Sequence, residues 1–263
     1  MYAELQNVFD AMTAEGQMFE MTEVEVAGQQ LRAWKNAPGS LRDIWALSAG
    51  HADKDYLVYQ DERWTYAQAH EEVARIANWL VSQGVGQHDR VAIAMRNYPE
   101  WMLSYWAVAS IGAVVVGMNA WWVAEEMKYG LEDSAPKAMI ADRERLERFE
   151  EIRSNFPDMV VAAVRVDDVP DWAHPWSEVL AAESTLPDAT IDPDDDACIF
   201  YTSGTTGFPK GAQLTHRGCA NNLMSLMFVN MAQAAAAAKV AGEENPDPMA
   251  TGAPPVAGIV ATP

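Results

Sequence analysis

Apolar and polar residues alternate in two regular patterns along most of the chain. Short, continuously apolar runs are typical of buried strands, and stretches with helical spacing lie between them. The predicted strands are Val91–Met95, Ala113–Met118, Lys137–Ala141, Val160–Val166 and Ala197–Thr202, and the predicted helices are Pro99–Ile111, Val123–Glu132 and Arg143–Arg153, the last a charged surface helix. Apolar strands separated by helices indicate parallel βαβ units covered on both faces. The sequence therefore predicts an α/β fold with a parallel sheet.

Local signals upstream are equally clear. Tyr56–Tyr59 and Arg63–Thr65 flank a short polar turn and predict a hairpin. Thr65 and Gln68 then form the pattern of a capping box, in which each side chain satisfies a free backbone N–H at the start of a helix. Gly84 follows the apolar stripe of that helix and supplies the left-handed residue that ends it.

The two ends of the chain carry weaker patterns. Residues 1–40 are predicted to be a helical lead-in that ends at the breaker Asn36–Gly39, and residues 41–263 a partial large domain. Residues 167–196 are predicted to be a long surface connection, and Ala212–Thr215 a further strand.

Beyond Ala212–Thr215, a helix is predicted over Arg217–Ala232. Ala234–Ala238 and Glu243–Pro255 are low in complexity and predicted to be mobile. Val256–Thr262 resembles the start of a strand, so we expect the chain to be part of a longer protein.

Charge and cysteine content narrow the class of protein. Lys and Arg number 18 against 38 Asp and Glu, a net charge of −20, which argues against binding to nucleic acid or to anionic lipid. Cys198 and Cys219 lack metal-site spacing and are expected to be reduced. The N-terminus lacks the features of a signal peptide. Trp101–Ala124 has no charged residue, but its glycines and β-branched cluster favour a buried helix followed by a buried strand. We therefore predict a cytoplasmic protein without a transmembrane segment.

One loop carries most of the chemical information. The segment Tyr201–Gly211 follows an apolar strand and contains three glycines, four serine or threonine hydroxyls and one lysine. Glycine lets backbone N–H groups approach a ligand, hydroxyls add adjustable donors, and lysine adds a mobile positive charge. Such a loop suits a polyphosphate. It is not a Walker A loop, because Pro209 and Gly211 stand where that motif requires Gly and Ser or Thr.

At these residues the chain resembles the adenylate-forming superfamily of acyl-CoA synthetases, luciferases and peptide-synthetase adenylation domains. The family's phosphate loop reads Thr-Ser-Gly-Ser/Thr-Thr-Gly, one variable residue, then Pro-Lys-Gly, and Thr202–Gly211 matches throughout. Upstream, Trp64–Tyr66, Asp89–Ile93 and Asn97–Trp101 are similar to other family segments, and Asn119–Trp122 resembles the form found in bacterial fatty-acyl-CoA ligases.

The resemblance implies a function and a site. It implies that ATP and a carboxylic acid, expected to be a fatty acid, form an acyl-adenylate, and that coenzyme A then displaces AMP. Lys210 is the implied catalytic residue, and the implied ATP-phosphate ligands are Thr202, Ser203, Gly204, Thr205, Thr206, Gly207 and Lys210. Thr202 is also a candidate to meet the Mg²⁺ of the Mg–ATP complex. The partners are thus small molecules, and a homodimer is one assembly the sequence leaves open.

Alternatives remain at this point. An amino-acid or aryl-acid adenylating domain, or a noncatalytic nucleotide-binding half-domain, would carry the same loop. The family's adenine, ribose and second magnesium ligands are not matched in the chain, so we expect these residues alone to be inactive.

Several other residues have two interpretations. Asp192 and Asp194–Asp196 are expected to form a solvated turn rather than a metal cluster, and His216 to make a structural hydrogen bond to the loop rather than transfer protons. Trp121 and Trp122 either border a substrate channel or pack in the core. Cys198 is expected to serve packing alone.

Overall fold

The computed structural model describes residues 2–203 and 207–241. They form two compact units, one from residues 2–39 and 217–241, the other from residues 40–203 and 207–216. In chain order, the described elements are α1 (Tyr2–Met12), β1 (Met21–Val26), β2 (Gln29–Trp34), α2 (Leu41–Leu47), β3 (Asp55–Tyr59), β4 (Glu62–Thr65), α3 (Tyr66–Ser82), β5 (Arg90–Ala94), α4 (Pro99–Ser110), β6 (Val114–Gly117), α5 (Ala124–Ser134), β7 (Ala138–Asp142), α6 (Arg143–Ile152), β8 (Val160–Val164), β9 (His174–Pro175), α7 (Trp176–Val179), β10 (Asp196–Thr202), β11 (Lys210–Thr215) and α8 (His216–Val240).

A seven-stranded sheet in the order β11-β10-β6-β5-β7-β8-β9 forms the core of the larger unit. Strand β5 runs parallel to β6 and β7, β6 runs parallel to β10, and β7 runs parallel to β8. Among the described strands of this sheet, β11 alone pairs antiparallel, with β10. Because parallel strands are covered on both faces, the central strands are buried along their length, and Val91–Ala94 is 0% exposed. The predicted α/β fold with a parallel sheet is confirmed.

The signals at the start of the larger unit also hold. Strands β3 and β4 pair as the predicted hairpin. At the start of α3, Gln68 N–H donates to Thr65 Oγ1 over 3.2 Å, and Thr65 N–H donates to the Gln68 side chain over 2.9 Å, which completes the capping box. Gly84 has a φ of +80°, as expected for the residue that ends the helix.

The order of the strands reverses at β5. The chain passes from β5 through α4 to β6 on one side, and then through α5 to β7 on the other side of β5. The right-handed rule for such crossovers places α4 and the next two helices on opposite faces of the sheet. Helix α6 accordingly contributes Leu146 and Phe149 to a core that includes Ala92 and Ala94 of β5.

The smaller unit packs α1 and the β1–β2 hairpin against α8. Phe19, Met224 and Phe228 form its buried apolar centre, and Trp34 donates its indole N–H to Ser225 Oγ over 2.9 Å. The predicted helical lead-in therefore contains one helix and one hairpin.

Two other predictions about secondary structure were wrong. Ala234–Ala238, predicted to be mobile, lies within α8. The predicted loop over 167–196 contains β9, which pairs with β8, and the short helix α7. The features predicted at 243–255 and 256–262 lie outside the described residues.

Helix formation at the predicted buried segment is confirmed, since α4 and β6 occupy most of Trp101–Ala124. Among the described helices, α8 alone is long and apolar enough to cross a bilayer. Core helices of soluble proteins can have the same length and composition. The absence of a transmembrane segment stays a prediction.

Candidate functional site

Strands β10 and β11 bring the two ends of the predicted phosphate loop together. Thr202, the last residue of β10, is the cross-strand neighbour of Lys210, the first residue of β11. The Thr202 hydroxyl donates to the Lys210 carbonyl over 3.4 Å. Both residues are exposed, as are Ser203 and Gly207. Gly204, Thr205 and Thr206 lie outside the described residues, so their predicted role stays a prediction.

Two glycines in this segment answer specific backbone requirements. Gly207 has a φ of +93°, a left-handed conformation that side chains disfavour. At Gly211, an added Cβ would lie 2.8 Å from Ile199 Cγ2, so only glycine lets β11 approach β10 this closely. These requirements explain part of the motif by shape alone, independently of any ligand.

The Lys210 side chain is free to meet an anion. It is exposed, and among the described residues it forms no ion pair. The protein as a whole carries a net charge of −20, and Lys210 supplies an exposed positive charge at the start of β11. The arrangement presents one cation, hydroxyl donors and glycine backbone at the same sheet edge.

Helix α5 supports the strand that leads into the loop. The Tyr201 hydroxyl donates to Asp133 Oδ2 over 2.7 Å and to the Gly130 carbonyl over 3.2 Å. Trp122 packs edge-on against the Tyr201 ring, with centroids 5.2 Å apart. Burial and the Asp133 carboxylate raise the pKa of Tyr201, so its hydroxyl stays a donor at neutral pH. The loop therefore begins from a fixed strand end.

Among the described residues, His216 forms its hydrogen bond with α2 and not with the loop, where the sequence had predicted it. Its ring is buried, and Nδ1 accepts a hydrogen bond from Leu41 N–H over 3.1 Å, at the start of α2. Its Nε2 atom finds no hydrogen-bond partner among the described residues. Burial lowers the pKa of His216, which favours the neutral ring. The hydrogen bond is structural, as expected, but it joins the end of β11 to α2.

Comparison with known proteins identifies the family of the chain. Residues 44–244 match the family described as AMP-binding enzyme. The chain belongs to that family. The resemblance read from the phosphate loop is thereby confirmed.

Relatives of this AMP-binding chain are CoA ligases that differ in their acids. It is 35% identical to 4-coumarate–CoA ligase 3 of Oryza sativa subsp. japonica over 59% of the chain and 28% of the relative. It is 31% identical to the medium/long-chain-fatty-acid–CoA/3-oxocholest-4-en-26-oate–CoA ligase of Mycobacterium marinum (strain ATCC BAA-535 / M), over 62% of the chain and 32% of the relative.

A solved structure supports the same fold. The anthranilate CoA ligase AuaEII, solved in complex with anthranoyl-AMP, matches with a TM-score of 0.65 and 27% identity, over 68% of this chain and 35% of that one. The AMP-binding chain thus spans about a third of the length of the relatives it matches.

The structure also describes the tryptophans, the aspartate turn and the cysteine that the sequence singled out. Trp121 is 59% exposed and lies under the Arg96 guanidinium, 4.1 Å from the ring centroid, whereas Trp122 is buried. Asp192 and Asp195 form a local turn, because Asp192 N–H donates to Asp195 Oδ2 over 3.1 Å. Among the described residues, no group of His, Cys, Asp or Glu is placed to hold a metal ion. Cys198 is buried in β10, which agrees with a packing role.

The larger unit also contains a buried ion pair that the sequence did not predict. Arg145 Nη1 lies 3.0 Å from both carboxylate oxygens of Asp142, and its Nε donates to the Ala120 carbonyl over 2.9 Å. The Arg145 side chain is 0% exposed, although α6 was predicted to be a charged surface helix. The Arg145 side chain holds the Ala120 carbonyl, two residues before Trp122, and Trp122 packs on Tyr201 at the start of the loop. The spacing of Arg145 was the available signal, because Phe149 and Ile152 follow Arg145 by four and seven residues and so share its face of the helix.

Proposed function

We propose that the chain forms the phosphate-binding part of an AMP-forming acid–CoA ligase. The observation that supports this proposal most directly is that Thr202 pairs with the exposed Lys210 where the glycine-rich loop leaves the sheet. In the first half-reaction, a carboxylate oxygen attacks the α-phosphorus of ATP and pyrophosphate leaves. In the second, the thiol of coenzyme A loses its proton to solvent and attacks the acyl carbon, and AMP leaves with the bonding electron pair.

Lys210 is assigned to the leaving pyrophosphate. Negative charge builds on that group as the bond to the α-phosphorus breaks, and a fixed cation stabilises the transition state more than the ground state. Thr202, Ser203 and the glycine backbone supply hydrogen-bond donors beside it. The Thr202 hydroxyl donates its hydrogen to the Lys210 carbonyl, which leaves its oxygen lone pairs for the Mg²⁺ that arrives with ATP.

A fatty acid is the proposed acid. The similarity to the fatty-acid ligase of Mycobacterium marinum and the segment Asn119–Trp122 support this choice. The relatives named for 4-coumarate and anthranilate make an aryl acid the second candidate. We place the protein in the cytoplasm, with small-molecule partners.

Magnesium pyrophosphate is the probe for the part of the site that this chain contains. Its dissociation constant, measured by calorimetry, should rise about tenfold or more in Lys210→Ala, because a charge-assisted contact is lost. Lys54→Ala is the matched control, since Lys54 is exposed on a different part of the larger unit. Equal affinities in Lys210→Ala and the unsubstituted chain would refute the assignment.

In a ligase of full family length that carries this chain, Lys210→Ala should slow ATP–pyrophosphate exchange more than it weakens ATP binding. A loss of roughly 10²–10³ in rate is expected for a donor aimed at developing charge. An unchanged exchange rate would remove Lys210 from the mechanism.

The 263 residues alone should be catalytically silent. Purified chain, ATP, palmitate and hydroxylamine should give no acyl-hydroxamate, and 4-coumarate in place of palmitate should give none either. Hydroxamate above a Lys210→Ala background would show that the chain is active by itself, and the acid that gives it would identify the class.

A further inference from the structure

Helix α5 touches the described part of the phosphate loop through Tyr129. The Tyr129 hydroxyl donates to the Pro209 carbonyl over 3.1 Å. Its ring also packs on Phe208, with centroids 5.4 Å apart and planes inclined by 37°. Phe208 is 65% exposed to solvent, and its ring packs on Tyr129.

The position of this hydrogen bond matters because Pro209 directly precedes Lys210. The Pro209 carbonyl belongs to the same planar peptide unit as the Lys210 N–H, and in a trans peptide the two point in opposite directions. Holding the carbonyl toward α5 therefore orients the Lys210 N–H away from α5. On its other side, the Lys210 carbonyl accepts the Thr202 hydroxyl. Side chains from two different elements thus hold the peptide groups on both sides of Lys210.

The base that carries Tyr129 is itself fixed. Asp133 lies one turn beyond Tyr129 on α5 and accepts the Tyr201 hydroxyl, and Gly130 accepts it as well. Thr202 directly follows Tyr201 in β10. Helix α5 therefore contacts both sides of the loop, through Tyr201 before it and through Pro209 next to Lys210.

We propose that Tyr129 is a positioning residue for Lys210. It acts through the Pro209 carbonyl and the Phe208 ring and does not itself touch the phosphates. The part of this proposal that concerns phosphate binding rests on the proposed function, whereas the part that concerns the loop does not.

Three variants of the 263-residue chain separate the hydroxyl from the ring. Tyr129→Phe removes the donor and keeps the ring, and Tyr129→Ala removes both. Tyr66→Phe is the matched control, because Tyr66 lies in α3 and packs on Tyr56 and His51 instead of the loop. Two quantities are measured: hydrogen–deuterium exchange of a peptide covering residues 207–212, and the dissociation constant of magnesium pyrophosphate.

Tyr129→Phe should speed exchange in this peptide about fivefold, the effect of one lost hydrogen bond, and weaken pyrophosphate binding by a similar factor. Tyr129→Ala should do more, and Tyr66→Phe should change neither quantity. The thermal midpoint should be the same in Tyr129→Phe and Tyr66→Phe, which separates positioning from general destabilisation.

Unchanged exchange in Tyr129→Phe would overturn the proposal, as would equal acceleration in Tyr66→Phe. If Lys210→Ala weakens pyrophosphate binding and Tyr129→Phe does not, the role of Tyr129 is overturned and the proposed function stands. If Lys210→Ala has no effect, the proposed function fails, and faster exchange in Tyr129→Phe still supports the positioning of the loop.

Discussion

Replacing Arg145 by methionine should strongly destabilise the larger unit. The guanidinium is fully buried, and its removal leaves the Asp142 carboxylate, only 5% exposed, without a cation. Breaking such a pair typically costs about 3–5 kcal/mol. Asp142 keeps two backbone donors, Arg96 N–H at 2.9 Å and the N–H of residue 145 at 3.2 Å. Arg148 still donates to the Ala120 carbonyl over 2.9 Å. We therefore expect the lower end, about 3 kcal/mol.

Urea unfolding followed by tryptophan fluorescence measures this loss. Arg143→Met is the matched control on the same helix, because its side chain is 54% exposed and its partner Asp167 is fully exposed, so its cost should stay within about 0.5 kcal/mol. In the double variant Asp142→Asn/Arg145→Met no charge is left buried. Its loss should be smaller than the sum of the single losses by about 2 kcal/mol. A loss below about 1 kcal/mol in Arg145→Met, or strict additivity, would refute the reasoning.

Three further changes test local features, all by urea unfolding. Thr65→Ala removes the capping box of α3 and should cost about 1 kcal/mol, and no loss would show that the cap contributes nothing. Gly130→Ala places a Cβ 2.5 Å from Trp122 Cζ3 and should cost about 1–3 kcal/mol through overpacking, whereas a neutral effect would mean that the ring moves freely. The pKa of His216 is lowered by burial, so the unfolded chain binds its proton first and stability should fall as the pH drops through about 6.5. His216→Gln should flatten that slope, and the exposed His51→Gln should not.

The parts of the fold that sequence could predict are those encoded over a few residues. Thr65 and Gln68 are three positions apart, and the apolar strands declare themselves within single segments. Thr202 and Lys210 are likewise close in the chain, so the ends of the loop were predictable as neighbours across a hairpin.

What escaped prediction depends on distant partners. Tyr129 and Pro209 are 80 residues apart, and Leu41 and His216 are 175 apart. The sequence around one partner contains no pattern that identifies the other partner. Arg145 is an intermediate case, since helical spacing places it on the buried face of α6, but its acceptor, the Ala120 carbonyl, is 25 residues away.

Composition misled in one further case. The alanine run 234–238 is low in complexity, which predicts mobility, yet alanine has the highest helix propensity, and Ala235 and Ala236 pack against Val8. The same residues are simple in sequence and well suited to a close helix–helix contact.

The antiparallel pairing of β11 with β10 decides which face of the sheet carries the Lys210 side chain. Successive side chains of a strand point to opposite faces, so a slip of β11 by one residue along β10 would turn the lysine to the other face. The same slip would place Lys210 or Ala212 where only glycine fits against Ile199. The close contact at Gly211 therefore also protects the register that keeps Lys210 on its face.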